Sequence, residues 1–108
     1  PGRVYAETSI TKPVLTSPKG VVLSQGLFPR YSDIDTRAMA AAGLDQAVRN
    51  AVAAGVDLKQ LALLDNFCWC SSDEPERLGQ LKRAVEVIYE MAVKYETPFI
   101  SGKDSMFN

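Results

Sequence analysis

Apolar residues along the chain fall into two long segments with helical spacing, separated by short continuous apolar runs. In the first segment Leu44, Ala47, Val48, Ala51 and Val52 recur at three- and four-residue steps, while Arg37, Asp45 and Arg49 lie elsewhere on the wheel. Asp33 and Asp35 precede it, Asp35 being better placed to accept hydrogen bonds from the first free amides, and Gly55 supplies the stop. A second helix is predicted from one stripe, Leu78, Leu81, Val85, Ile88, Ala92 and Tyr95, which we expect to pack on a sheet. Asp73 and Glu76 make a capping-box-like pair before it, with Pro75 in the first turn where its missing amide costs little. The runs Gly20-Val-Val-Leu-Ser24, Leu61 to Leu64 and Pro98-Phe-Ile100 read as strands. Residues 1–18 hold three of the six prolines and no sustained periodicity, so they read as a linker with room for one short strand, leading into a domain over 19–108. The order strand, helix, strand, helix, strand predicts an α/β (α+β) fold, with a mixed, partly parallel β-sheet covered by two long helices.

Composition narrows the function classes. With 108 residues, 46% hydrophobic, 23% charged and a net charge of -1, the chain has the makeup of one folded domain. The near-neutral balance offers no basic face for a phosphate backbone, so nucleic acid is not an expected partner. Runs such as Leu61 to Leu64 fall far short of the roughly 20 apolar residues a membrane span needs, and no charged-then-apolar leader opens the chain. A cytoplasmic location is therefore expected. There is no histidine, so neither the commonest general base nor a Ser or Cys nucleophile paired with His exists within the chain. Together with a start at Pro1 and an end at Asn108 just past a predicted strand, this leads us to expect a piece of a larger protein whose other segments complete any active site.

Two predicted strands run into polar clusters, Leu64 into Asp65-Asn66 and Ile100 into Ser101-Gly102-Lys103-Asp104-Ser105. In parallel sheets, ligands bind beyond the carboxyl ends of strands. Gly102 allows close backbone approach, Lys103 suits a phosphate, and Asp65 or Asp104 suits magnesium, held directly or through water. Spacing alone equally allows ordinary turn residues, because Gly-Lys-Asp-Ser lacks the longer glycine-rich pattern of a P-loop. Cys68 and Cys70 are too close for an unstrained disulfide and lack companions for zinc, so both are expected to be free thiols. Trp69 is expected to be a packing residue.

Leu63-Leu-Asp-Asn-Phe67 and Phe99-Ile-Ser-Gly-Lys-Asp-Ser-Met-Phe-Asn108, with Asp45-Gln-Ala-Val-Arg-Asn50, Pro29-Arg-Tyr31 and Ile34-Asp35, resemble the motifs of the phosphoribosylformylglycinamidine synthase family. Within it the chain is similar to the amino-terminal, AIR-synthetase-like domain of the second half of the synthetase. The resemblance implies an ATP-dependent carbon-nitrogen ligase of purine biosynthesis that uses ATP and Mg2+, with Asp65, Gly102 and Lys103 at ATP and Ser105 at the substrate. It places the catalytic histidine in the other half of the parent chain, leaving no catalytic residue here. Lys103 stands where short members of the family carry a magnesium-binding Asn. Gln46 and Asn50 stand where long members carry a Glu and an Asn at an auxiliary magnesium site, so that one carboxylate is replaced by an amide. The implied partners are the remaining synthetase domains, a glutaminase domain or subunit, and a second copy joined through a shared β-barrel. A purely structural domain and a related AIR-synthetase or selenophosphate-synthetase enzyme are the competing expectations.

Overall fold

The computed structural model describes residues 7–107. Strands β1 (Thr8–Thr11) and β2 (Val21–Ser24) form an antiparallel pair, with Thr8 opposite Ser24 and Thr11 opposite Val21. After a 3-10 turn at Pro29–Asp33 comes helix α1 (Thr36–Ala53), and after a second 3-10 turn at Leu58–Gln60 comes strand β3 (Leu63–Cys68). Helix α2 (Pro75–Tyr95) then crosses over to strand β4 (Phe99–Ser105), which pairs in parallel with β3. The class is mixed α/β with both kinds of pairing, but the two kinds occupy separate two-stranded sheets. Strand β1 falls within the proline-rich leading segment and is the one short strand for which that segment had room. Among the described residues no helix is long and apolar enough to cross a membrane.

The first helix forms as its sequence dictates. The Asp35 carboxylate accepts from the Arg37 amide at 2.7 Å, and Gly55 ends the helix at a φ of 96° that favours glycine. The second helix starts differently from expectation: Glu74 is the N-cap with no side-chain cap bond, and the Asp73 amide donates to Ser71 Oγ at 3.1 Å. The capping box does not form because the Ser71 turn already engages that stretch and Pro75 leaves fewer amides to satisfy. The buried stripe of α2 is also rotated from the predicted one. Ala84, Val87 and Ile88 are buried, whereas Leu78 and Val85 are about half exposed. The small Ala84 lets α2 approach α1, whose Leu44 and Val48 join Leu63, Val87 and Ile88 in the central cluster, so α2 packs against a helix as well as the sheet.

Polar contacts fix how the layers meet. Thr36 Oγ1 donates to the Gln80 carbonyl at 3.0 Å, and Trp69 Nε1 donates to the Arg77 carbonyl at 2.9 Å, holding the first turns of α2 from two sides. Trp69 is buried and is therefore a packing residue, as expected. Ser24 Oγ donates to the Ala47 carbonyl at 2.7 Å, tying the hairpin to α1. Just beyond, Gly26 crosses α1 so closely that a Cβ there would collide with the Gly43 carbonyl oxygen and stand 3.0 Å from Gln46 Cβ. Backbone cannot yield as a side-chain tip can. Gly26→Ala should therefore cost at least about 2 kcal/mol, while Gly79→Ala in α2, whose Cβ would meet nothing within 4 Å, should stabilise by about 0.5 to 1 kcal/mol. Urea unfolding of both variants checks the contrast.

Across the helix pair, Tyr95 Oη donates to Asp45 Oδ1 at 2.7 Å, and Arg49 Nε donates to the other carboxylate oxygen. The Arg49 bond first, and the Tyr95 bond second, hold Asp45 below its usual 3.8, and the same carboxylate raises Tyr95 above 10.0. A depressed carboxylate stabilises the fold above its unfolded value, and that contribution disappears as pH falls through the lower folded value. The raised phenol acts in the opposite sense, stabilising below 10.0 and losing the effect as pH climbs through the folded value. Tyr95→Phe should cost about 1 kcal/mol near neutral pH. Urea unfolding should show the difference from the parent shrinking as pH falls below 3.8 and through the lower folded value, where Asp45 takes up its proton.

Candidate functional site

The α2 crossover brings the two polar clusters into register. Leu63 pairs with Phe99, an irregularity sets Ile100 outside the pairing, and from there Leu64 pairs with Ser101, Asp65 with Gly102, Asn66 with Lys103 and Cys68 with Ser105. The clusters were expected in loops past the strand ends. They are instead inside the strands, because Phe67 packs against the core and carries β3 onward to Cys68, giving Ser101 to Ser105 a ladder to join.

Side chains alternate along a strand, which divides the predicted site residues between two faces. Leu63 and Phe67 point to the helices, so Asp65, midway between them, lies on that same face. Gly102 stands beside it: a Cβ on Gly102 would collide with Asp65 Oδ1 and lie 3.1 Å from its Cγ. Only glycine leaves the carboxylate where it is. Lys103 and Ser105 fall on the opposite, open face, where Lys103 Nζ donates to Ser105 Oγ and, at 3.2 Å, to the Asp104 carbonyl. The structure thus assembles two pairs, Asp65 with Gly102 and Lys103 with Ser105, as neighbours along the ladder on opposite sides of one sheet layer.

Asp65 borders a cleft of about 500 Å³ between the sheet and α2, walled by Val85, Tyr89, Val93, Pro98 and Phe99. Thr97 belongs to the same wall; it is 1% exposed, and its hydroxyl has no hydrogen-bond partner among the described residues. The α2 wall had no separate signal in the sequence, since Val85 reads there as part of the buried stripe.

Gln46 and Asn50 lie on α1 beneath the start of the hairpin. Gln46 Nε2 donates to Asn50 Oδ1 and to Glu7 Oε2, both at 3.1 Å, and Asn50 Nδ2 donates to Glu7 Oε2 at 3.1 Å and to the Gln25 carbonyl at 3.4 Å. Glu7 was invisible to sequence reasoning because its partners lie 39 and 43 residues away. The Glu7 carboxylate, the two amide oxygens and the Gln25 carbonyl form an oxygen set of the kind hard cations take, once the amides turn over. Among the described residues no group of three or more His, Cys, Asp or Glu could hold a metal, and Cys68 and Cys70 are free.

Comparison with known proteins supplies the family. The chain is 35% identical over 91 residues to phosphoribosylformylglycinamidine synthase subunit PurL of Rhodopseudomonas palustris (strain BisB18), covering 84% of this chain and 12% of that protein. It is 34% identical over 92 residues to the same subunit of Deinococcus radiodurans, covering 85% and 12%, and 29% identical over 91 residues to that of Methanocaldococcus jannaschii, covering 84% and 12%. The chain thus spans about one eighth of the length of the curated relatives it matches. No solved structure matches it. Residues 10–106, from within β1 to just past β4, match the AIR synthase related protein, N-terminal domain, and the chain belongs to that family.

Proposed function

We propose that this domain supplies nucleotide and substrate contacts to an ATP-dependent carbon-nitrogen ligase, a phosphoribosylformylglycinamidine synthase, as the AIR-synthetase-like domain of its second half. In that reaction the γ-phosphoryl group of ATP passes to the amide oxygen of formylglycinamide ribonucleotide. Ammonia from glutamine then attacks the activated carbon, and phosphate leaves. Residues 19–108 carry the domain in this reading and residues 1–18 lead into it. The rest of the synthetase and a glutaminase are its partners, and its location is cytoplasmic. Asp65, Gly102 and Lys103 contact ATP and Ser105 contacts the substrate.

The observation that carries the proposal is the fit between Asp65 and Gly102: the carboxylate occupies the space that any side chain on Gly102 would fill. Nothing in the packing of the core requires a glycine at an exposed mid-strand position, where it weakens the strand. A function for the Asp65 carboxylate does. The contact is with the tip of a flexible side chain, so Gly102→Ala should leave the unfolding midpoint nearly unchanged by swinging Asp65 aside. In calorimetric titrations with Mg-ATP, both Gly102→Ala and Asp65→Ala should weaken binding at least about tenfold. Wild-type affinity in both variants would remove the pair from the site.

Gln46 and Asn50 hold an auxiliary magnesium in this reading, and Glu7 restores the carboxylate that Gln46 lacks. The ion would neutralise phosphate charge at that end of α1. Glu7→Gln should abolish the heat of magnesium binding at this cluster; an unchanged titration would discard the cation and leave a hydrogen-bonded brace between β1 and α1.

A structural reading has its own observation. Leu64 and Ile100 are 61% and 68% exposed, on a sheet pair covered by helices on the other face only, as a surface built to join a second copy would be. Self-association in light scattering, combined with no heat from Mg-ATP, would favour that reading over the ligase.

A further inference from the structure

We propose that Cys68 and Cys70 form a two-coordinate site for a soft monovalent metal ion, copper(I), on the open face of the β3 and β4 pair; the proposal is independent of the ATP reading above. Cys68 is exposed, Cys70 is half-buried, and both are free thiols. Strand pairing runs on past the end of β3 to reach them: the Trp69 amide donates to the Ser105 carbonyl at 2.8 Å, and the Phe107 amide donates to the Cys70 carbonyl at 3.2 Å. Trp69, between the two, turns inward; it is buried, with its ring edge-on to that of Phe67 at 6.1 Å. Alternation therefore puts the two thiols together on the opposite face.

Spacing decides what the pair can hold. Along an extended backbone, β-carbons two residues apart are separated by about 6.6 Å. A disulfide needs them about 3.5 to 4.5 Å apart, so the backbone that aligns the thiols also keeps them from joining. A linear ion with two metal–sulfur bonds of about 2.3 Å needs the sulfurs about 4.6 Å apart. A lean of about 1 Å by each side chain meets that spacing. Zinc asks for four ligands, and among the described residues no group of three or more His, Cys, Asp or Glu could begin such a shell. Copper(I) is a soft ion that thiolates favour, and two of them suffice for it.

Charge points the same way. On binding, each S–H bond breaks, both protons pass to water and two copper–sulfur bonds form, with no change of oxidation state. Two thiolates around a monovalent ion leave one negative charge over. Lys103 is placed to offset it, because Cys68 pairs with Ser105 across the ladder and Lys103 Nζ donates to Ser105 Oγ on the same face. A divalent ion would leave no charge for the ammonium to offset.

The test is an anaerobic titration of the reduced chain with copper(I), read by ultraviolet thiolate-to-copper absorption and by competition with a coloured copper(I) chelator. Binding should saturate at one ion per chain and protect both thiols from a thiol-counting reagent, while zinc at the same concentration should not displace the copper. Cys68→Ser and Cys70→Ser should each weaken copper(I) at least about a hundredfold while circular dichroism stays that of the parent. Alkylating the exposed Cys68 of the folded chain is a second route to the same loss. Lys103→Met should weaken copper(I) about fivefold, and Lys103→Arg should restore it. Parent-like affinity in either serine variant or in the alkylated chain, one ion shared by two chains, or displacement by zinc would each overturn the proposal. So would a disulfide between Cys68 and Cys70 forming readily under mild oxidation of the dilute chain, and unchanged affinity in Lys103→Met would overturn the part given to its charge.

Discussion

Parallel strands cannot be joined by a tight turn, and the rest of this structure depends on how the chain meets that constraint. Between β3 and β4 it spends a full helix, α2, and that helix must find a surface on which to bury one side. The surface is shared between Leu63 on the sheet and Leu44 and Val48 on α1. Fixing α2 there determines where β4 begins, and the start of β4 determines which of its residues stands opposite Asp65. The Asp65 and Gly102 pair is therefore a product of helix packing, even though neither residue belongs to the core.

Polar bonds set the precision of that packing. A helix held by apolar contacts alone can rotate or slide by part of a turn at little cost when many of its interface positions are small, and here Ala40, Ala41, Ala84 and Ala92 all lie at or near the contact. Thr36 and Trp69 each bond to a carbonyl in the first turns of α2, and Tyr95 bonds to Asp45 at its far end. The ion pairs Arg37 with Glu90 and Arg83 with Asp35 add to this, but their side chains are substantially exposed and contribute little stability. Directional bonds at both ends fix the register that alanine packing leaves loose.

The sequence was legible where structure is local. The Asp35 cap, the Gly55 stop and the two helices follow from spacing and backbone chemistry within a few residues. It misled where a partner far along the chain decides the outcome. The stripe on α2 includes Val85 by spacing, yet the approach of α1 moves the buried side to Ala84 and Val87. The polar run after Ile100 reads as a loop because no sequence feature says that β3 continues beside it as far as Cys68. Glu7 is the extreme case, an exposed acid whose two amide partners lie on a helix 39 and 43 residues away. Family resemblance leads one to expect Asp65, Gly102, Lys103 and Ser105 to act together, but only the alternation of the strands reveals that the four residues divide between two faces.

That division constrains any single ligand of the four residues. A molecule touching both Asp65 and Lys103 cannot lie flat on either face, since the β3 and β4 backbones are between them; it must pass around an edge of the two-stranded sheet, and on the β4 edge Gly102 is the position with no side chain. A nucleotide has the right form for such a path, with an uncharged ring at one end, a flexible chain of phosphates at the other and a bend at the ribose. A compact anion or an isolated divalent ion could satisfy one face but not both. The glycine would then serve twice, leaving room for the carboxylate on one side and for the ligand crossing the strand.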